Sequence, residues 1–465
     1  MFYDILKAED NFQDNGQPPF FAGSFLNFSP LAANPTADVP YLSQPFASTG
    51  AQNPFPSKPV NHNINFAAAG FLPFGLTSIF LDDPHLRTPY TYQYNLSVQQ
   101  EIARNTTVQL GYVGSSSHGL TSLVDINPFT LGTTDRILNL LPGNSSCNAA
   151  TQFMCSFSNL PEFKNVSKAS YNGLTASMAR QLTDARFIGR TYFTLGYTYA
   201  HSIDNASGFR ARNLQVPTFN PGLFRASSDF DIRNRITFSG GWDLPFDNMW
   251  KSGPKRLTQG WSLYPILSWR QGFPLDVFSQ VDSSGGFTNP GVSGAGDNAV
   301  VHANLTGQPF TTFDPHGVQT LTGDLSGTNT GNFYFNPAAF TTAQVGSPSV
   351  PCGAPSPTCF PSTAQVVANP ALRTYGTVPR NFVRGPGRTN LDMTIAKTTA
   401  ITERLKLEIR ADAFNLFNHA EWGNPSTNIT SSKFGRITTT GDPGTQVIPV
   451  DPKERIIQLA ARFTF

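Results

Sequence analysis

The chain has 465 residues, of which only 13% are charged and 12% aromatic, with a net charge of +2, 39 glycines and 37 prolines. Soluble domains carry about 25% charged residues, and the near-neutral balance leaves no basic footprint for nucleic acid. No run reaches the 18 or so apolar residues of a membrane helix, and the Gly and Pro content favours turns and long loops.

At the start, MFYDIL reads as the tail of one strand, and residues 1–89 as that residual strand followed by a long outer loop. Asp4, Lys7, Glu9 and Asp10 break any apolar h-region, so no signal peptide is expected in this chain. The apolar stretch at 66–80 is interrupted by Gly70, Pro73 and Gly75 and reads as a tucked loop or core segment.

From residue 90 the dominant signal is period-two alternation. Tyr92, Tyr94, Leu96 and Val98 alternate with Gln93, Asn95, Ser97 and Gln99; after a tight turn at 102–104, Val108, Leu110 and Tyr112 alternate with Thr107, Gln109 and Gly111. The segment SSSHG, with His118, reads as a solvated turn and not as a nucleophile pair.

Residues 114–169 are expected to form a long loop holding Cys147 and Cys155; Cys352 and Cys359 fall in a second long loop, 273–387. Two local disulfides are the economical reading, each worth at most ~2.5 kcal/mol on the loop-entropy model, and they imply an oxidising compartment. The rivals are a four-cysteine zinc site, against which the spacing speaks, and unpaired loop thiols.

Further strands are expected at 170–181, at Phe193 to Tyr199, at Ile236 to Leu244, at 260–272 and at 388–400. Pro265 lacks a ladder donor, so its segment requires a bulge or a different boundary. Between them, His201 and Asp204 open a loop at 202–232 without marks of a metal site. Asp229, Asp231, Arg233 and Arg235 (SDFDIRNR) read as polar residues of a lumen or a hydrogen-bonded loop base. A glycosidase needs two carboxylates facing each other across a cleft, which neighbours on one strand do not supply. Arg380, Arg384 and Arg388 are spaced four apart, and an outer rim touching lipopolysaccharide phosphates is the reading, with an anionic ligand as the alternative.

The clearest strand sets Leu405, Leu407, Ile409, Ala411 and Ala413 against Lys406, Glu408, Arg410 and Asp412. The last sets Ile457, Leu459, Ala461, Phe463 and Phe465 against Gln458, Arg462 and Thr464. Nine or ten strands result, joined by alternately short and long connections, which is the asymmetry of an outer-membrane barrel. Parity puts the C-terminus on the periplasmic side and the long loops outside. A soluble β-sandwich shows the same alternation and remains the alternative, as a disulfide-stapled adhesin or glycan-binding protein; a barrel that adheres without transporting is a third reading.

The blocks TPYTYQYNLSVQQEIARNTTVQLGYVGSSSHGL, ASYNGLTASMARQLT, SSDFDIRNRITFSGGWDLPF and RGPGRTNLDMTIAKTTAITERLKLEIRADAFNLFNHAEWGNP, with the Phe terminus, resemble the C-terminal part of Oar-like TonB-dependent outer-membrane transporters of acidobacterial type. The resemblance covers about 88–272 and 380–465. It implies an all-β antiparallel transmembrane barrel, of which 90–465 would be the C-terminal portion. The N-terminal plug and TonB box of such transporters are not seen ahead of residue 90. The resemblance also implies contact with membrane lipid and lipopolysaccharide, with the TonB complex through a plug not present in this chain, with an unidentified small-molecule or glycan ligand, and with the barrel assembly machinery through Phe463 and Phe465. No nucleic-acid partner, cofactor, metal site or enzymatic motif is expected.

Overall fold

The computed structural model describes residues 2–3, 81–126, 161–185, 188–207, 216–217, 222, 224–246, 250, 252–279, 301–314, 316–321, 330–341, 378–429, 431–440 and 454–465. Among the described residues one sheet holds thirteen strands, three of them two-residue pieces off its main path, and ten stand side by side: β1 (Phe2–Tyr3), β2 (Tyr90–Ala103), β3 (Thr106–Asp125), β4 (Pro161–Ala185), β5 (Gly189–Asp204), β6 (Asn234–Asp243), β7 (Trp261–Arg270), β8 (Arg388–Ala400), β9 (Lys406–Phe414) and β10 (Ile456–Thr464). Each pairs antiparallel with its neighbours in chain order. Among the described residues helix is scarce, with one turn at Lys255–Thr258 and a 3-10 turn at Pro337–Ala339. Among the described residues no helix is long and apolar enough to cross a membrane.

Pairing register fixes which side chains share a face. One row runs Val98, Leu110, Ala176, Tyr197, Ile236 and Trp269, each directly opposite the next across six strands. Another runs Trp242, Leu263, Ile395, Ala411 and Leu459. The opposite face is polar: Gln99, Gln109, Ser177, Gly196, Thr237, Ser268 and Asn390 form one of its rows. Leu96, Val98, Leu174, Ile409 and Leu459 are exposed despite their apolar character. A contiguous apolar face of this size is a surface made to meet another apolar phase.

The connections at one end of the sheet are short. Arg104 and Asn105 close the β2–β3 hairpin, Asn105 taking the left-handed conformation at φ 59° that such a two-residue turn demands. Gly260, at φ 77°, enters β7 so close to the Thr398 carbonyl that a Cβ there would overlap it. At the other end the connections are long, and the strands run further into them than the alternation indicates. Residues 114–125 and 161–169, expected to be loop, are paired strand, with irregularities between His118 and Ser122. Ser122 and Ser167 face each other there, their hydroxyls 2.5 Å apart. The run Ser115 to His118 and the register shifts on either side of Leu120 break the alternation, so the apolar period that marks a strand is lost although the ladder continues to the buried Val124 and Phe163.

Pro265 also departs from expectation. β7 passes through it unbroken and pairs with β8 along its whole length. Toward β6 only the pairings of Tyr264 and Pro265 are missing, opposite Gly240 and Gly241, and the register is the same on both sides of the gap. The ladder skips the missing donor without a bulge.

Candidate functional site

At the long-loop end, segments 273–279, 301–314, 330–341, 378–384, 421–429 and 431–440 gather around a core of their own. Val277, Ala303, Phe335, Ala339, Phe340, Val378, Val383, Ile429 and Phe434 are buried together. Phe335, Phe340 and Phe434 meet edge to face at 5.3 to 5.8 Å, the geometry aromatic quadrupoles favour. His302 is buried beside this core, its Nδ1 2.9 Å from the Val378 carbonyl, its ring 5.1 Å from that of Phe224, and its Nε2 3.5 Å from Asp276.

Beneath the core lies a network of buried charge. The side chain of Arg380 is 0% exposed. Its guanidinium donates to the Asp204 carboxylate, to the Asp204 carbonyl at 3.1 Å, to Asp229 Oδ1 at 3.3 Å and to Ser207 Oγ at 3.3 Å. Asn381 adopts φ 58°, a left-handed conformation that asparagine tolerates. Its amide nitrogen donates to the Ser227 carbonyl and to Asp229, both at 2.7 Å. Arg384 donates to the Asp231 carboxylate and, at 3.1 Å, to the Asp231 carbonyl. Asp231 also accepts the Ser202 backbone N–H at 2.8 Å and has Arg233 at 3.6 Å.

These contacts correct the rim expected of Arg380 and Arg384. Both face inward onto aspartates, so neither presents a free guanidinium to an external anion. The sequence spacing hid this because their partners lie 151 to 176 residues earlier in the chain. A buried arginine without such partners would be prohibitively costly. Arg388 opens β8 on the polar face, opposite Arg270, which is itself opposite Arg235. Asp229 and Asp231 thus sit in a hydrogen-bonded loop base, one of the two arrangements the SDFDIRNR segment indicated. Sequence reasoning missed Asn381, Ser207, Ser227, Asp276 and His302; a lone Asn or Ser in a Gly/Pro-rich loop carries no periodic signal.

Where the His316 ring lies 5.1 Å from that of Trp422, Asp314 accepts from the His316 backbone N–H at 3.0 Å and lies 2.7 Å from its Nδ1. The backbone bond first, and the imidazole second, hold the Asp314 carboxyl below its ordinary range. Burial pushes the Tyr334 phenol up. Among the described residues no group of three or more His, Cys, Asp or Glu is arranged to hold a metal ion.

At the short-loop end a cavity of about 450 Å³ opens between Asp184, Arg190, Asp243, Ser262 and Thr398. Phe463 pairs opposite Leu407 on the apolar face, and Phe465 lies just past the end of β10, 92% exposed. Cys147, Cys155, Cys352 and Cys359 lie outside the described residues.

The family model described as "Outer membrane beta barrel domain" matches residues 1–458. No curated protein sequence matches the chain. Among solved structures, the outer membrane transporter YddB from Escherichia coli is similar at 11% identity and a TM-score of 0.36, over 84% of this chain and 34% of that one. BauA, the ferric preacinetobactin receptor from Acinetobacter baumannii, is similar at 11% identity and a TM-score of 0.32, over 81% and 30%. FpvAI in its complex with pyocin S2 is similar at 9% identity and a TM-score of 0.32, over 82% and 28%. The chain spans about a third of the length of these structures.

Proposed function

Because the chain belongs to the outer-membrane β-barrel domain family, we propose that it forms the C-terminal wall and outer mouth of a TonB-dependent transporter of Oar-like type. The observation that carries this is the sheet with one apolar and one polar face, whose short connections gather at one end and whose long ones gather at the other. In this reading the apolar face meets lipid, the polar face lines a lumen, and the long connections stand outside the cell with Cys147 paired to Cys155 and Cys352 to Cys359. The C-terminus is periplasmic, and Phe463 and Phe465 are the signal read by the barrel assembly machinery.

The role of this chain is passive. Its mouth captures a small-molecule or glycan ligand, and a plug elsewhere in the working protein receives the force of the TonB complex. No step in this role calls for catalysis or for a cofactor. A second reading is favoured by one observation: the mouth has a hydrophobic core of its own, as a fixed surface for adhesion or glycan binding would.

Cells carrying the native protein with a photo-crosslinker on TonB separate the two. Detergent-dependent, heat-modifiable protein that crosslinks to TonB is the outcome expected of a transporter. The same barrel without any TonB crosslink supports adhesion, and a product soluble in salt buffer rejects the barrel.

A further inference from the structure

On the apolar face, at its long-loop end, Tyr90, His118 and Lys168 stand directly opposite one another across β2, β3 and β4; Tyr92, Ser116 and Ser170 form the next row. Alternation puts both rows on the side of Leu96, Leu110 and Leu174. The Tyr90 ring stacks on His118 at 5.4 Å, Tyr92 meets it edge-on at 6.2 Å, and Ser116 Oγ is 2.9 Å from His118 Nε2.

Arg225, from the connection between β5 and β6, lies over this corner. Its guanidinium donates to the Lys168 carbonyl at 3.3 Å and to Ser170 Oγ at 3.4 Å. Those two bonds aim the group while leaving further N–H donors in its fork. Lys168 and Arg225 are both exposed, and among the described residues neither forms an ion pair with a carboxylate. Their neighbours differ: Lys164 is paired with Glu162 at 2.7 Å, and Arg380 and Arg384 with the aspartates of the mouth.

Depth supplies the second argument. In the next two rows toward the short-loop end, the hydroxyls of Tyr94 and Tyr112 both donate to Asn172 Oδ1, at 3.2 and 2.7 Å. Tyrosines with an apolar body and a bonded tip mark the boundary between hydrocarbon and head groups. The two cations lie immediately beyond that boundary, on the lipid side and not the lumen side.

We propose that this corner binds the phosphorylated sugar head group of an outer-leaflet glycolipid, lipopolysaccharide, with Lys168 and Arg225 on a phosphate and Tyr90, His118 and Ser170 against the sugar. Guanidinium and ammonium groups suit phosphate oxygens, and hydroxyl, imidazole and ring faces suit a saccharide. The site rests on the outer-membrane orientation proposed above.

The test uses the full protein extracted from outer membranes in mild detergent, delipidated, and titrated with lipopolysaccharide that carries or lacks its lipid A phosphates. The expected result is phosphate-dependent binding that K168Q/R225Q weakens by roughly tenfold or more, as loss of two charge-assisted contacts implies. K164Q should bind as the unaltered protein does, since that lysine is already paired. Equal binding by K168Q/R225Q, equal binding of dephosphorylated lipopolysaccharide, or a second copy of the chain found on this face instead would each overturn the site while leaving the barrel intact. Absence of the unaltered protein from the outer membrane would overturn the barrel reading and the site with it.

Discussion

Arg380 holds the mouth to the strands through charge, and it does so where charge is most costly to leave unmatched. Its partner Asp204 has a side chain only 5% exposed. Replacing Arg380 by Met would strand that carboxylate, at a cost of about 3–5 kcal/mol. The expected result is faster hydrogen exchange at 378–384 with the sheet's protection intact, and partial recovery in the double variant Arg380→Met, Asp204→Asn. Unchanged exchange in the single variant would show that the ion pair does not anchor the mouth. A smaller device operates at Gly114, which lies directly opposite Tyr94, the tyrosine ring filling the space a Cβ would need. Gly114→Val must push that ring away and break its bond to Asn172, for about 1–3 kcal/mol. The heat-modification midpoint should fall, and truncating Tyr94 in the same chain should remove most of the difference. At Asp314 the effect depends on pH. The folded carboxyl is held below its free value, so its contribution to the 314–316 turn is complete above the free value, about 3.9, and is lost as pH falls through the folded one. The His316 amide should therefore gain exchange on acidification, and Asp314→Asn should abolish that dependence.

Elements were legible where two different solvents flank the strand and illegible where one does. β8 begins and ends at Arg388 and Ala400, the bounds its alternation indicates. The extensions of β3 and β4 beyond Gly114 and before Ala169 are hidden because a run of three serines and a histidine, followed by register shifts, puts Leu120, Val124 and Phe163 out of step with the alternation before it. The small core of the mouth was equally hidden. It is assembled from Phe335, Phe340, Val383 and Phe434, which are scattered through Gly/Pro-rich segments with no period to betray a shared interior. Buried phenylalanines of this kind contribute about 3–5 kcal/mol when truncated. Phe434→Ala should accordingly expose 431–440 to limited proteolysis while the sheet remains heat-modifiable. Proteolysis equal to that of the unaltered protein would mean that the loops are held by the ionic network alone.

The whole molecule is governed by the difference between its two faces. β10 shows this most cleanly, because every residue of Ile456–Thr464 is exposed in the isolated sheet, so exposure does not distinguish its faces and only chemistry does. Leu459 continues the apolar row from Trp242 through Ala411, and its neighbour Gln458 pairs with Asp412 on the polar side. If lipid covers the apolar face, a lysine at Leu459 costs up to about 2–4 kcal/mol near the bilayer midplane. A lysine at Gln458 stands opposite a carboxylate and costs little. The same geometry requires a partner for the outer edge of β10 and for most of the edge of β2, since unpaired backbone groups in hydrocarbon cost several kcal/mol each. Strands that complete the wall would satisfy both edges without altering either face, so the contrast between the two substitutions holds for the closed barrel as for the sheet. Leu459→Lys should reduce the amount of heat-modifiable protein reaching the outer membrane, and Gln458→Lys should leave it near the level of the unaltered chain. Equal effects would mean that the two faces meet the same solvent, and a water-soluble sandwich would then account for the alternation better than a membrane wall.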